Sequence, residues 1–505
     1  MSESTGAAAA ARAVKWSALT TMARIMLQLA AQVALARMLG PGNFGVYGIG
    51  MVVLTFATFL SGSTFSWSLM LLPAVSREDI RFSFSWQLVA GLVTSAAMYA
   101  LAPAIAVFFA DQRVEGVVQL LSLASLLIAA GAPATCLLQR ELNFRALGLI
   151  QLASYAAGYL AVGVPMALNG YGPYSLAAAC VVQAAVALVA TYAAKPHSLR
   201  PLFFYPHASA TLTTGRAVIL TNIVNWLLSN LDRVIIGRLL NAHAVGLYNV
   251  AYNLASIPNT LLLGTLQPTF LSFGAKLQQE PNRLAQAWLH VMAFVLVMVT
   301  PASIVFALLS QDLVSLLYGP AWMESGWVLA VLFLYLPAWA CFAVSTPILW
   351  NTGRKHQEFL LQLPLLAVAV SAWWLFGSEG IRAVAMVSVA VVVARAGVIV
   401  AAALAALKLP WSAVLPLALR GLGLAAVCAG AVLAGQRVVA PLALPVLSLV
   451  AGGLCALSVL LLIVGICPQV LGSEAKAAIS KLFPALGRFW DAPRPSGRIF
   501  GQRPL

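Results

Sequence analysis

Charge is what this chain most lacks. Of its 505 residues only 9% are Asp, Glu, Lys or Arg, against roughly 25% in a soluble globular protein. Acidic residues are scarcest, 14 against 29 Lys and Arg, and only five His are present. The six cysteines (Cys136, Cys180, Cys341, Cys428, Cys455, Cys467) fall singly in apolar sequence, with no CxxC pair and no His at ligand spacing, so they read as packing residues rather than metal or redox groups. Nothing resembles a nucleotide-binding loop, a Ser-His-Asp set or a zinc site, so no cofactor and no catalysis are expected. No basic segment stands apart as a soluble module, and the net charge of +15 therefore does not point to nucleic acid. Residues Met1 to Ala13 lack the apolar core and cleavage site of a secretory signal, so the first span is expected to stay uncleaved.

What is present is apolar sequence. Hydrophobic residues make up 62% of the chain, in runs of about twenty that recur from end to end and match the thickness of a bilayer core. The pattern predicts an all-α integral membrane protein of about fourteen transmembrane helices. Six are expected near Lys15–Leu39, Phe44–Leu72, Phe82–Ala110, Val117–Leu138, Ala146–Leu168 and Tyr171–Ala194. After a Pro-rich linker, Lys195 to Thr214, six more follow near Arg216–Leu240, Val245–Ser272, Leu284–Leu309, Gly326–Trp350, Phe359–Phe376 and Ile381–Leu407. A last pair, Ala413–Leu433 and Ala440–Cys467, precedes a basic tail. The expected organisation is thus 1–213, 214–408, 409–470 and 471–505. In the tail, Leu471, Ile479, Leu482, Phe483, Leu486 and Trp490 alternate with Lys476, Lys481 and Arg488, which fits either an amphipathic helix on an anionic leaflet or a disordered basic end.

Short positively charged loops resist translocation. An even number of spans with the N-terminus inside puts Arg77, Arg81, Arg140, Arg145, Lys276, Arg283, Arg354, Lys355 and the tail on the cytoplasmic side, and leaves only Arg113, Arg382 and Arg437 in the opposite loops. The longest outer loop is expected around Gln311 to Ser325, carrying Asp312 and Glu324.

The chain also repeats itself. Ala36-Arg37-Met38-Leu39 followed by Gly45-Val46-Tyr47 matches Gly237-Arg238-Leu239-Leu240 followed by Gly246-Leu247-Tyr248 at a constant offset of 201 residues. Units of six spans keep their orientation, so the halves would be parallel repeats with a cavity at their interface.

Polar residues inside spans are costly in lipid and count as candidates for function. Thr20, Arg24, Gln28 and Gln32 recur every four residues on the first helix, Asn222, Asn225, Ser229 and Asp232 on the seventh beside Arg233, and Asn249, Asn253, Ser256, Thr260 and Gln267 along the eighth. Interhelical hydrogen bonding of about 1 kcal/mol per contact is the simpler explanation of any single Asn, Gln or Ser. Arg24 stands out, because it lies about nine residues, roughly 13 Å, into its expected helix with no acidic neighbour there. A cavity that receives an anion accounts for it. Arg395, near mid-span of the twelfth helix, is a further candidate for the same lining, and Arg420 lies outside the repeated halves.

The stretch from Ala36 to Tyr47, ARMLGPGNFGVY, resembles the signature of the polysaccharide transporter family. These are the Wzx-type flippases of the multidrug/oligosaccharidyl-lipid/polysaccharide exporter superfamily. The likeness extends over Asn143-Phe144-Arg145, Gly170-Tyr171-Gly172, Asn230-Leu231-Asp232-Arg233 and Gly246-Leu247-Tyr248, and is nearest the colanic-acid and exopolysaccharide exporter branch. It implies two six-helix lobes around a central cavity, as in the multidrug exporters of that superfamily, plus two added helices. It also implies alternating access and a polyprenyl-diphosphate-linked oligosaccharide carried from the inner to the outer leaflet of a bacterial plasma membrane. Its expected partners are that lipid-linked substrate, membrane lipids, and possible pathway proteins such as a polymerase. Related flippases with basic cavities support Arg24 by position. The rivals are a cation antiporter of the same superfamily, which would need buried carboxylates where only Asp232 is expected well inside a span, and a membrane glycosyltransferase or polymerase, which would need catalytic carboxylates or His on a sizeable outer loop.

Overall fold

The computed structural model describes residues 2–62, 69, 75–204, 216–278, 280–442 and 444–466. The basic tail expected at 471–505, Cys467, and the side chains of Asn222 and Gln267 lie outside what is described. All regular structure among the described residues is helical, as a lipid-embedded backbone without water to bond to requires. In order the helices are α1 (Ser2–Gly62), α2 (Arg77–Phe109), α3 (Arg113–Arg140), α4 (Phe144–Leu168), α5 (Tyr174–Ala194), α6 (Arg216–Leu239) and α7 (Ala242–Lys276). There follow α8 (Pro281–Tyr318), α9 (Pro320–Leu334), α10 (Leu336–Asn351), α11 (Lys355–Phe376), α12 (Ile381–Leu407), α13 (Leu415–Val439) and α14 (Pro445–Ile466).

Helix α1 is two helices joined at a kink. Gly40 sits there at φ 71°, ψ 169°, a conformation that glycine alone adopts cheaply, and Pro41 restarts the helix at its first position. Its apolar stretch Leu19–Ser61 is 43 residues long, about 65 Å of helix, or twice a bilayer core. The break therefore divides it into limbs of spanning length. Among the described residues, ten helices are long and apolar enough to cross a membrane, eleven if α9 and α10, bent by 40°, form one span. The expected fourteen exceeds that number. Helix α6 is not among the ten: it carries Asp232, Arg233 and Arg238 within its length.

The expected loop Gln311–Ser325 is a correction. Helix α8 runs through to Tyr318, and only Gly319, at φ 88°, separates it from α9. Asp312 is thus helical, accepting hydrogen bonds from Gln436 on α13 (3.2 Å) and Ser448 on α14 (2.5 Å). A carboxylate tied between spans is not a loop catalyst. The linker, by contrast, is irregular over 195–204 and bound down. Arg81 donates to the Arg200 and Pro201 carbonyls, Trp86 Nε1 to the Phe203 carbonyl, and the Leu202 amide to Ser85 Oγ.

Two compact units result. The first comprises Met1–Ile257, Leu313–Leu332 and His356–Val391; the second comprises Pro258–Asp312, Phe333–Lys355 and the chain from Val392 on. In the first unit, the repeat-related glycines meet. A Cβ on Gly45 would lie 1.6 Å from the Ala242 carbonyl oxygen, and one on Gly246 would lie 2.0 Å from that of Pro41. Ala242 is the repeat equivalent of Pro41, so the two helices approach backbone to backbone with the same offset on both sides, a contact only small residues permit. The repeated arginines match as well. Arg37 donates to the carbonyls of Leu316 and Leu317 at the end of α8, both at 2.6 Å, and Arg238 donates to that of Phe108 at the end of α2, at 2.8 Å. Each neutralises the unpaired carbonyls of a helix C-terminus. The second unit is cored by Trp288, Met292, Val295, Val344, Ile348 and Ala403.

Candidate functional site: a polar cavity in the first unit

A cavity of about 290 Å3 opens in the first unit between α1, α4, α6 and α7. It is lined by Gln32 on α1, Tyr47 and Thr55 on its second limb, Tyr155 and Tyr159 on α4, Arg233 on α6, and Asn249 and Asn253 on α7. Helical spacing places these groups: Asn249 and Asn253 lie one turn apart on one face, as do Tyr155 and Tyr159. The tyrosine rings are stacked, with centroids 4.4 Å apart and planes at 16°. Residues Ala156–Gly163 form a π-helical turn, the kind of local unwinding often found at functional sites. Tyr159 belongs to it, and its hydroxyl is 2.7 Å from that of Tyr47. Gln32 Nε2 is buried without a hydrogen-bond partner among the described residues.

Arg233 is the cavity's cation. Its guanidinium lies over the Tyr252 ring, 3.9 Å from the centroid, and donates to the Ser229 carbonyl at 3.0 Å. Asp232, next in the chain, is only 5% exposed and 3.8 Å from Arg233 Nε. Its other oxygen accepts a 2.6 Å hydrogen bond from Tyr248, whose hydroxyl is 3.2 Å from Ser388 Oγ; that oxygen in turn accepts from Trp373 Nε1. The carboxylate is thus held by a buried network of α6, α7, α11 and α12, while the arginine reaches the cavity wall. A cation beside a tethered anion, with amides and stacked rings around it, can bind a phosphate and the face and hydroxyls of a sugar.

The other sequence candidates divide. Of the first-helix stripe, Gln32 lines the cavity. Arg24 does not: it is eight residues earlier, roughly 12 Å along the helix, where Nη1 donates to Gln151 Oε1 at 2.8 Å and Nε is buried without a partner. No carboxylate pairs with it among the described residues. Gln28 is half-buried between them and outside the cavity lining. Asn225 also lies elsewhere, donating at 3.4 Å to Glu358, which accepts from Gln362 at 3.1 Å. Glu358 is only 2% exposed. The sequence pattern missed this second buried carboxylate because it precedes the expected start of its span, Phe359, by one residue. Arg395 is in the second unit, 2% exposed, with its guanidinium 4.0 Å from the Phe342 ring centroid and 5.3 Å from that of Trp339. The tyrosines were also missed, since a tyrosine in an apolar run reads as packing. Only their spacing, four residues apart, carries a signal.

The helices and this cavity define a multi-pass helical membrane protein with the fold of known exporters. A solved structure of the lipid II flippase MurJ in an inward closed conformation superposes with a TM-score of 0.70 over 88% of this chain and 98% of that one, at 14% identity. An inward-facing multidrug resistance MATE family transporter of the MOP superfamily superposes at 0.60 over 76% and 95%, at 15% identity. Residues 34–326 match the family described as polysaccharide biosynthesis protein, and the chain belongs to that family. Its relatives include the lipopolysaccharide biosynthesis protein WzxC of Escherichia coli K12, 26% identical over 61% of this chain and 63% of that protein. The succinoglycan biosynthesis transport protein ExoT of Rhizobium meliloti is 26% identical over 76% and 74%. The match thus spans a little under two thirds of WzxC.

Proposed function

We propose that this protein is a flippase that carries a polyprenyl-diphosphate-linked oligosaccharide from the inner to the outer leaflet of the bacterial plasma membrane by alternating access, for assembly of a surface polysaccharide. The observation that carries this reading is the cavity, whose lining brings together Arg233, Gln32 and the stacked Tyr155 and Tyr159. A guanidinium stays charged at any physiological pH and grips phosphate oxygens through parallel hydrogen bonds. Stacked rings offer flat apolar area to a sugar face, and Asn249 and Asn253 suit its hydroxyls. About 290 Å3 is at the small end of ligand cavities, so a large headgroup passes only if the walls part, as alternating access requires.

The protein does no chemistry on its cargo in this reading. Its N- and C-termini are cytoplasmic, because that orientation keeps most basic loop residues inside. The two halves 1–213 and 214–408 act as the moving lobes, 409–470 as an added pair and 471–505 as a basic tail, with pathway proteins such as a polymerase downstream. Arg24, Gln28 and Asn225 belong to the path the headgroup takes outside the cavity in its observed state, and Asn222 and Arg395 are kept as further candidates for headgroup contact. Arg24→Glu tests that part: normal surface polymer from a variant present in the membrane at wild-type level removes Arg24 from the path.

Two buried carboxylates, Asp232 and Glu358, favour a second reading as a cation antiporter. That transporter would fail in Asp232→Asn and survive Arg24→Ala, whereas the flippase loses polymer in Arg24→Glu.

A further inference from the structure

A second recess, distinct in composition from the cavity, lies where two helices of the first unit end. Helix α2 begins at Arg77 and helix α5 finishes at Ala194, both candidate spans, so the recess between them sits at the boundary where apolar sequence gives way to polar. Its volume is about 450 Å3, and its walls include Arg77, Ile80, Leu137, Lys195, His197 and Ser198.

The charges around it are unequally engaged. Lys195 is bonded to Glu141. Arg81 is spent on the linker carbonyls of Arg200 and Pro201, and Asp79 closes a capping box with Ser76. His197 is clamped between Phe84 and Tyr192, with ring centroids 5.3 and 5.4 Å away. Burial pushes its pKa below the ordinary histidine value, so it enters as a neutral donor or acceptor. Arg77, in contrast, has no hydrogen bond or ion pair among the described residues, and it faces the recess. The linker segment that carries Lys195, His197 and Ser198 is bound to α2 by four hydrogen bonds, so these groups are held ready.

We propose that this recess binds the phosphate headgroup of an anionic phospholipid, with Arg77 and Lys195 as the cationic contacts, Ser198 as a hydroxyl partner, and Ile80 and Leu137 against the glycerol and first acyl carbons. The shared chemistry is a phosphate group, and the lipid is favoured over a soluble anion for two reasons. The site lies at the ends of two spans, where headgroups lie, and its apolar walls give a soluble anion nothing to cover. In the proposed orientation this is the inner leaflet. The lipid would brace the junction of α2, α5 and the linker, and it is independent of the cargo that passes through the cavity.

The full-length protein in neutral detergent, incubated with equal amounts of phosphatidylglycerol and phosphatidylcholine and read by native mass spectrometry, tests this. Wild type should retain phosphatidylglycerol preferentially, and excess inorganic phosphate should leave that adduct in place. Arg77→Gln should lower its retention at least about fivefold, the equivalent of ~1 kcal/mol, with an unchanged melting temperature in the absence of lipid, because Arg77 makes no hydrogen bond or ion pair with the described residues. Arg437→Gln, an exposed arginine at the far end of α13, should change neither. Equal retention by wild type and Arg77→Gln overturns the site. Displacement of the lipid by inorganic phosphate overturns its assignment to a phospholipid and makes it a soluble-anion site.

Discussion

The two copies of the internal repeat agree at their helix ends and differ at their middles. At the ends, Arg37 and Arg238 each cap the C-terminus of another helix, and Gly45 and Gly246 each press on the backbone opposite. Further along, the equivalent tyrosines part company: Tyr47 bonds to Tyr159 at the cavity wall, whereas Tyr248 bonds to the buried carboxylate of Asp232. Helix α1 offers an uncharged Gln32 to the cavity and α6 offers Arg233 at the equivalent position of the repeat. A duplication that keeps its scaffold contacts and varies its cavity contacts produces an asymmetric site. An asymmetric site suits a headgroup with a phosphate at one end and sugar at the other.

The glycine contact is the place to break that symmetry hardest. Gly45→Ala and Gly246→Ala each drive a methyl group into a carbonyl, and overpacking of this kind costs ~1–3 kcal/mol. Both variants should show lower melting temperatures and lower yields of folded protein by similar amounts. A much larger effect at one of them would show that the two sides of the crossing are not equivalent.

The tyrosines sharpen the contrast. Tyr248→Phe removes a donor from a buried carboxylate, a loss of about 1–3 kcal/mol in a buried site, and should destabilise the fold as read by thermal melting. Tyr47→Phe leaves Tyr159 with a hydroxyl that faces the cavity, so its effect should fall mainly on transport. The capping arginines come next. Arg37→Gln and Arg238→Gln should each cost about 0.3–1 kcal/mol, as helix-end charges do, again in parallel.

The smallest effect is electrostatic and lies in the turn between α2 and α3. There the Arg113 guanidinium bonds both oxygens of Asp111, at 3.0 and 2.7 Å, and holds its carboxyl below the ordinary carboxylate range. A lowered folded pKa stabilises above the unfolded value, ~3.9, and that contribution is lost as pH falls through the folded value. Because the pair is partly exposed, the loss should stay under ~1 kcal/mol. Melting curves of wild type and Asp111→Asn should therefore differ slightly at neutral pH and converge in acid.

Much of this was legible in the sequence. Apolar runs marked the helices, and the 201-residue offset marked the repeat. Of the residues in the polar stripes, Gln32, Arg233, Asn249 and Asn253 line the cavity. Periodicity tells which face a residue occupies but not what lies across from it, so it could not separate Gln32 from Arg24, which meets Gln151 from α4. Nor could it pair Asn225 with Glu358, 133 residues away. Asp312 was misplaced for the opposite reason: a polar dipeptide, Gln311-Asp312, in a long apolar helix reads as a loop unless partners on α13 and α14 are known.

The cavity arginine is the centre of the account, and flipping of a fluorescent polyprenyl-diphosphate oligosaccharide in vesicles holding purified protein measures its role directly. Charge-assisted contacts of about 1.5–3 kcal/mol predict that Arg233→Gln slows translocation roughly tenfold or more while leaving the reconstituted amount unchanged. Wild-type rates from Arg233→Gln would contradict it.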